Sequence, residues 1–188
     1  MKVFKRNGRA VNFNPSKITA RLKARKGELN VDTDEMAIKV ISQMADGMTT
    51  TDIDTLCIEL AASMVPMHPD YSSLASGLFV TQLRKSTPDS FTEAVDKIQE
   101  TTNVLSDEFI KFVEQNGSTL NRIIDQDRDF NHNIFGLRTL EKSYLLKDTE
   151  GNLIERPQYM WLRTAIEVTG FEMKEVKETY DMMSQKYY

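Results

Sequence analysis

The stretch KVFKRNGRAVNFNPSK, residues 2–17, determines how the fold begins. Two short β-prone runs, Val3-Phe4 and Val11-Asn12-Phe13, flank Asn7-Gly8, a dipeptide that is typical of tight hairpin turns. Asn14-Pro15 then marks a helix start, because asparagine caps helices and proline favours the first helical position. The stretch therefore predicts a β-hairpin that leads directly into a helix.

Apolar residues after this stretch recur at helical spacing. Gly27 and Gly47 are stop signals for the first two helices, since glycine often follows the last helical residue. The predicted helices of this half cover about 15–27, 33–47, 50–64 and 70–85. The run Ser86–Ser90, with its proline, predicts a linker and a domain boundary near residue 87.

The second half of the sequence also has mostly helical patterns. Leu145-Leu146 and Leu153-Ile154 flank the turn-forming run Asp148–Asn152, which predicts a second hairpin. Gly117 is interpreted as a helix stop, and Pro157 as a helix start. The predicted helices cover about 91–101, 106–116, 134–144, 157–168 and 172–187. The chain is therefore expected to be mainly α, with two small β-ribbons.

Charge is distributed unevenly along the 188 residues, whose net charge is −4. Residues 1–27 hold nine lysines or arginines and no acid, whereas the rest holds fifteen bases and twenty-eight acids. An acidic chain is a poor duplex binder, so nucleic acid is not an expected partner, and direct binding through 1–27 stays open as an alternative. A local basic cluster suits a compact anion such as a nucleotide's phosphates, and a solvated basic helix face is the simpler reading.

Several classes of site and location are not expected from the composition. One cysteine and two histidines give no internal disulfide and no plausible zinc site. Cys57 lies on the apolar stripe of the third helix and is interpreted as a core residue. No apolar run of eighteen residues and no signal sequence is found, so no membrane span and a cytoplasmic location are expected.

Three basic residues stand where an anion site is plausible. Lys5 and Arg6 lie on the first predicted strand, and Lys17 lies in the first turn of the first helix. The free N–H groups and the dipole of a helix start attract anions. No glycine-rich phosphate loop is present, so the sequence predicts a phosphate site built from cations beside a helix start.

The sequence also resembles a known family through motifs in both halves. Five motifs in the first half resemble the ATP cone, the allosteric nucleotide-binding domain of ribonucleotide reductases: KRNGR (5–9), VNFNPSKIT (11–19), MTTTDIDTL (48–56), HPDY (68–71) and LRKST (83–87). Three motifs in the second half resemble the segment after the cone in the large subunit of class I ribonucleoside-diphosphate reductase: DRDF (127–130), FGLRTLEKSYLL (135–146) and ERPQYMWLR (155–163).

The resemblance implies a division into two domains. Residues 1–87 would form an ATP cone, a four-helix bundle capped by a small β-ribbon. Residues 88–188 would form an all-α N-terminal reductase segment with one β-hairpin. The family's nucleotide-binding positions correspond to Lys5, Arg6, Val11, Asn12, Phe13, Asn14, Pro15, Ser16, Lys17, Thr50, Asp54 and Lys85.

The resemblance also implies effectors and regulation. In the family, ATP keeps the enzyme active, and dATP inhibits it by changing the oligomer. We expect ATP or dATP as effectors, with Mg²⁺, and an effector-dependent oligomer. Val11 departs from the family, which commonly has an acidic residue at this position and could use it to read the base or sugar.

Partners are implied in the same way. In the family, the catalytic cysteines lie in a barrel that follows the segment resembled here, so this chain alone is not expected to reduce ribonucleotides. It is interpreted as half of a split subunit or as a truncated chain. The expected partners are the remaining catalytic part of the large subunit and the radical-generating small subunit.

Apolar residues after residue 87 are expected to be partly uncovered without such a partner. They are Phe130, Phe135, Leu145, Leu146, Tyr159, Trp161, Leu162, Tyr180, Tyr187 and Tyr188. Two alternatives stay open. One is a free-standing cone that acts as a nucleotide-sensing regulator, although the known regulators of this kind carry a cysteine-rich zinc ribbon. The other is a degenerate cone that binds nothing and acts only as a structural cap.

Overall fold

The computed structural model describes residues 1–187. In chain order its elements are β1 (Lys2–Phe4), β2 (Ala10–Asn12), α1 (Ser16–Lys26), α2 (Thr33–Ser42), α3 (Thr50–Ser63), α4 (Asp70–Ser86), α5 (Phe91–Thr102), α6 (Asp107–Ile123), a 3₁₀ helix (Gln126–Asn131), α7 (Ile134–Ser143), α8 (Pro157–Val168) and α9 (Met173–Ser184). The mainly α class is therefore confirmed. No helix among the described residues is long and apolar enough to cross a membrane.

The helices and strands form two compact units. The first comprises Met1–Gln82 and Asn133–Leu137, and the second comprises Leu83–His132 and the residues from Arg138 onward. The domain boundary at residue 87 stays a prediction. The first unit contains the hairpin and α1 to α3 with most of α4, which agrees with a four-helix bundle capped by a β-ribbon.

The predicted first hairpin is confirmed. β1 and β2 pair in antiparallel fashion, with Val3 opposite Val11. Gly8 adopts a φ of +76°, a conformation that glycine reaches without strain, and this explains why Asn7-Gly8 is a good turn signal. The Lys5 N–H donates to the Arg9 carbonyl at 2.9 Å and closes the turn.

The bundle core consists of apolar side chains from all four helices. Leu22, Met36, Cys57 and Leu74 are fully buried, one from each of α1 to α4. The core interpretation of Cys57 is thus confirmed, and burial raises the pKa of its thiol. Such close-packed apolar positions fix how the helices meet and hence where the hairpin lies.

α2 ends at Ser42, earlier than the predicted stop at Gly47. Residues 46–48 instead bond to β1. The Lys2 N–H donates to Asp46 Oδ1 at 2.6 Å, and the Phe4 N–H donates to the Met48 carbonyl at 3.0 Å. Because Asp46 Oδ1 and the Met48 carbonyl accept hydrogen bonds from β1, residues 46–48 pair with the strand and do not continue α2.

α5, α6, α8 and α9 surround the core of the second unit. Phe91, Phe109, Tyr159 and Tyr180 are its largest buried aromatic side chains. Pro157 begins α8 as predicted, and α8 ends at Val168. These helices bury the aromatic residues that the sequence places at helical spacing.

The predicted helix stop at Gly117 is wrong, because α6 continues through it to Ile123. A Cβ at this position would lie 2.8 Å from Thr92 Cγ2 of α5. The glycine therefore allows two helices to approach closely. In the sequence, a glycine that allows close packing looks the same as a glycine that ends a helix, and only the packing distinguishes them.

The second hairpin forms only as a tight loop. Lys147 and Leu153 make a single bridge, and Asp148 Oδ1 accepts the N–H groups of Glu150 and Asn152 at 3.0 and 2.8 Å. Side-chain acceptance of this kind stabilises a turn without requiring strands on either side.

The apolar residues of which some are expected to lack cover differ in exposure. Leu145, Tyr159, Leu162 and Tyr180 are buried within the chain. Phe130, Leu146 and Trp161 are half-buried. Phe135 and Tyr187 are 62% and 71% exposed. Tyr187 lies beyond the end of α9 at Ser184, although the predicted helix extends to residue 187. Tyr188 lies outside the described residues.

Candidate functional site

A cavity in the first unit lies between the hairpin, the start of α1 and the start of α3. Its empty volume, open mouth included, is about 580 Å³. Its lining residues are Val3, Lys5, Val11, Asn12, Phe13, Asn14, Lys17, Ile18, Arg21, Thr50, Ile53 and Asp54. Eight of the twelve predicted site residues are thus brought together: Lys5, Val11, Asn12, Phe13, Asn14, Lys17, Thr50 and Asp54.

The charge of the lining is mainly positive. Lys5, Lys17 and Arg21 contribute cations, and Asp54 is the one carboxylate of the lining. Within residues 1–187, Lys5 and Lys17 form no ion pair and are free to meet a ligand. A cavity of this kind attracts an anion, because the field of several cations adds in a partly enclosed space.

The start of α1 contributes less than the sequence suggests. α1 begins at Ser16, whose N–H donates to Asn14 Oδ1 at 3.0 Å. The N–H groups of Lys17 and Ile18 donate to the carbonyls of Asn14 and Pro15. Because these donors are already used, the Lys17 side chain and the helix dipole provide the attraction for an anion at this end.

Asp54 is held from two sides although it is only 5% exposed. Its Oδ1 forms an ion pair with Arg21 Nη1, and its Oδ2 lies 3.6 Å from Arg6 Nη2. Arg6 Nε donates to Thr51 Oγ1 at 3.4 Å. This network joins the hairpin, α1 and α3 around the cavity.

Four lining residues are absent from the prediction, namely Val3, Ile18, Arg21 and Ile53, and Arg21 is the charged one among them. It lies one helical turn after Lys17, and residues four apart share a helix face, so this spacing is the signal that could have found it. Burial lowers the pKa of Arg21 from its ordinary value. Its Nε and Nη2 are buried and have no hydrogen-bond partner among the described residues.

Comparison with known proteins identifies the two halves of the chain. The family model of the ATP cone domain matches residues 1–86, and that of the ribonucleotide reductase all-alpha domain matches residues 130–188. The chain belongs to the ribonucleotide reductase family. Both matches agree with the resemblance seen in the sequence motifs.

Relatives from distant organisms match almost the whole chain. The large subunit of ribonucleoside-diphosphate reductase from Caenorhabditis elegans is 39% identical over 98% of this chain and 25% of its own length. The large chain from Schizosaccharomyces pombe and the large subunit from Arabidopsis thaliana are each 38% identical over 100% of this chain and 24% of theirs. The chain thus spans about a quarter of the length of these relatives.

The other predicted residues of the cone lie around or away from the cavity. Arg6 contacts Asp54 beside it, and Pro15 and Ser16 form the start of α1 without lining it. Lys85 lies near the end of α4, in the second unit. The contacts of these residues with a nucleotide stay predictions.

The two histidines lie in different environments. His68 Nε2 lies 3.3 Å from Asn30 Nδ2, in the turn before α4. His132 is buried, and burial lowers its pKa to about 4. No group of three or more His, Cys, Asp or Glu within residues 1–187 is arranged to hold a metal ion.

Proposed function

We propose that the cone cavity binds ATP and dATP as alternative allosteric effectors, and that this chain is the regulatory N-terminal portion of a ribonucleoside-diphosphate reductase large subunit. The observation that carries the proposal is the position of Lys5 and Lys17. Both are cations without an ion pair among residues 1–187, and both line one cavity beside a helix start. Phosphates are the compact anions that such an arrangement suits.

Mg²⁺ would reach this site on the nucleotide. Mg²⁺ is usually held by one or two carboxylates together with substrate phosphates. The one carboxylate of the lining, Asp54, is already engaged by Arg21, and Val11 offers no oxygen from its side chain. The lining therefore does not fit a metal site of its own, and the proposal assigns no protein ligand to the ion.

The effector signal would pass to an assembly with the remaining catalytic part of the large subunit and the radical-generating small subunit. Val104, Tyr144 and Val168 of the second unit are 61%, 59% and 63% exposed, which supports their being covered in such an assembly. The coupling must be reciprocal, so the oligomer that dATP favours must bind dATP more tightly. Sedimentation of the chain mixed with its partners, with ATP or dATP, would test this step.

Calorimetric titration with ATP and with dATP, in the presence of Mg²⁺, tests the binding proposal directly. We expect saturable binding by the wild-type chain and a loss of roughly tenfold or more in affinity for Lys17→Ala, since charge-assisted contacts are worth about 1.5–3 kcal/mol. Lys23→Ala is the matched control, because Lys23 lies on the same helix, pairs with Asp34 at 2.9 Å and is absent from the lining.

The outcomes separate the candidate functions. Equal affinity of Lys17→Ala and wild type would contradict phosphate binding at this cavity. An absence of binding by the wild-type chain, in both heat and thermal shift, would favour the degenerate cone.

A further inference from the structure

Asp54 presents an electrostatic problem for a site that binds a triphosphate. Its carboxylate is buried in the cavity lining, where a phosphate would have to approach it. Like charges a few ångströms apart repel strongly when solvent is largely excluded. A buried carboxylate in an anion site therefore needs a cation that stays with it when the ligand binds.

Two arginines could serve as that cation, and they differ in position. Arg21 forms the ion pair with Oδ1 from the interior of α1, and its side chain is 19% exposed. Arg6 approaches Oδ2 only to 3.6 Å from the turn of the hairpin, and its side chain is 33% exposed. Arg21 is thus the more firmly placed partner, and Arg6 is the more available one.

The hydrogen bonding of Arg21 indicates a role beyond stability. Nε and Nη2 are buried without a partner among the described residues. Buried donors are nearly always bonded in proteins, and unmade bonds cost free energy. A buried ion pair is also weak evidence for stability. Local features that lower stability, such as these unbonded donors, are typical of functional sites, where a charged group is held in place for a ligand.

We propose that Arg21 is a positioning residue of the effector site, which neutralises Asp54 and so leaves Arg6 available to the phosphates of the nucleotide. This inference rests on the proposed function of the cavity. Without Arg21, the Asp54 carboxylate recruits Arg6 completely. The site then loses one phosphate-binding cation, and the summed positive charge beside the ligand falls by one.

A double-mutant cycle between Arg21 and Asp54 tests the proposal. We expect Arg21→Met to weaken the binding of both ATP and dATP by about tenfold or more, as removal of one partner from a buried charged pair commonly does. In the Asp54→Asn background the same replacement should change affinity by less than about threefold, because no carboxylate remains to capture Arg6. Lys23→Met removes one positive charge from the same helix and should leave affinity unchanged.

Thermal unfolding without nucleotide identifies variants that fail to fold. If Arg21→Met is among them, Arg21→Lys provides the second test, because it keeps the charge and should retain most of the affinity. An equal effect of Arg21→Met with and without Asp54 would overturn the proposal, and so would unchanged affinity of a folded Arg21→Met. Failure of the wild-type chain to bind either nucleotide would instead refute the proposed function, so the two failures are distinguishable.

Discussion

Replacing Arg156 with methionine tests how the segment after α4 is held in the second unit. Arg156 is 2% exposed. Its guanidinium donates five hydrogen bonds of 2.8–3.3 Å, to Gln126 and to acceptors within residues 84–89. Methionine fills similar space but donates nothing, and each buried acceptor left unpaired costs about 1–3 kcal/mol. Relaxation and water entry offset part of this cost. We therefore expect the free energy of unfolding to fall by roughly 3–5 kcal/mol.

Urea denaturation followed by Trp161 fluorescence measures this loss, because Trp161 is the single tryptophan and packs against the core of the second unit. In a thermal scan the same change corresponds to roughly 6–20 °C. Arg122→Met is the control, since the side chain of Arg122 is exposed and its hydrogen bonds within the described part of the chain go to Ser118 and Thr119 of its own helix. It should cost less than about 0.5 kcal/mol. A loss below about 1 kcal/mol for Arg156→Met would refute the reasoning.

For two further residues of the second unit, Gly117 and Asp129, the structure determines the direction of an effect on stability. Gly117→Ala should destabilise by roughly 1–2 kcal/mol despite alanine's higher helix propensity, because the new methyl group would lie 2.8 Å from Thr92 Cγ2. Denaturation of the Gly117→Ala/Thr92→Ser double variant, which removes that methyl group of Thr92, should show the stability largely restored. Burial raises the pKa of Asp129 from 3.8 to about 6, so the folded state binds the proton more tightly and its stability should fall as pH rises from about 4 to 7. His132, with its pKa lowered to about 4, acts in the opposite direction, so the decisive measurement is the difference between wild type and Asp129→Asn. We expect the stability of the wild type relative to Asp129→Asn to fall by up to ~3 kcal/mol as pH rises over this range. A difference that does not depend on pH would contradict the raised pKa of Asp129.

Local signals in the sequence predicted most of the helices and strands. Asn7-Gly8 and Pro157 act through backbone geometry that is set by the residues themselves, so both were interpreted correctly. Gly117 was misread because its use depends on Thr92, which lies on another helix. The early end of α2 was missed for the same reason, since residues 46–48 bond to β1, more than forty positions earlier in the sequence.

The linker prediction shows a second limit of local signals. Proline and small polar residues in 86–90 indicate a break between elements, and α4 does end at Ser86. The same residues are nevertheless held by Arg156. Thr87 is only 8% exposed, and its Oγ1 accepts a hydrogen bond from Arg156 Nε at 2.8 Å. Composition therefore located the break but could not show that it is fixed by a buried arginine far along the chain.

The basic run in residues 1–27 contributes cations to the cavity but does not show which of its members line it. Of the nine cations, Lys5, Lys17 and Arg21 line the cavity, whereas Lys23 pairs with Asp34 on the surface. Within α1, the helix period distinguishes the cations, because it places residues 17 and 21 on one face and residue 23 on another. The spacing from Lys17 could have placed Arg21 on this face, but its pairing with the buried carboxylate of Asp54 has no signal in the sequence. The net charge that a phosphate would meet is that of the cations lining the cavity together with the buried carboxylate of Asp54. Asp54 lies on α3, outside the basic run, so the run alone does not give this net charge.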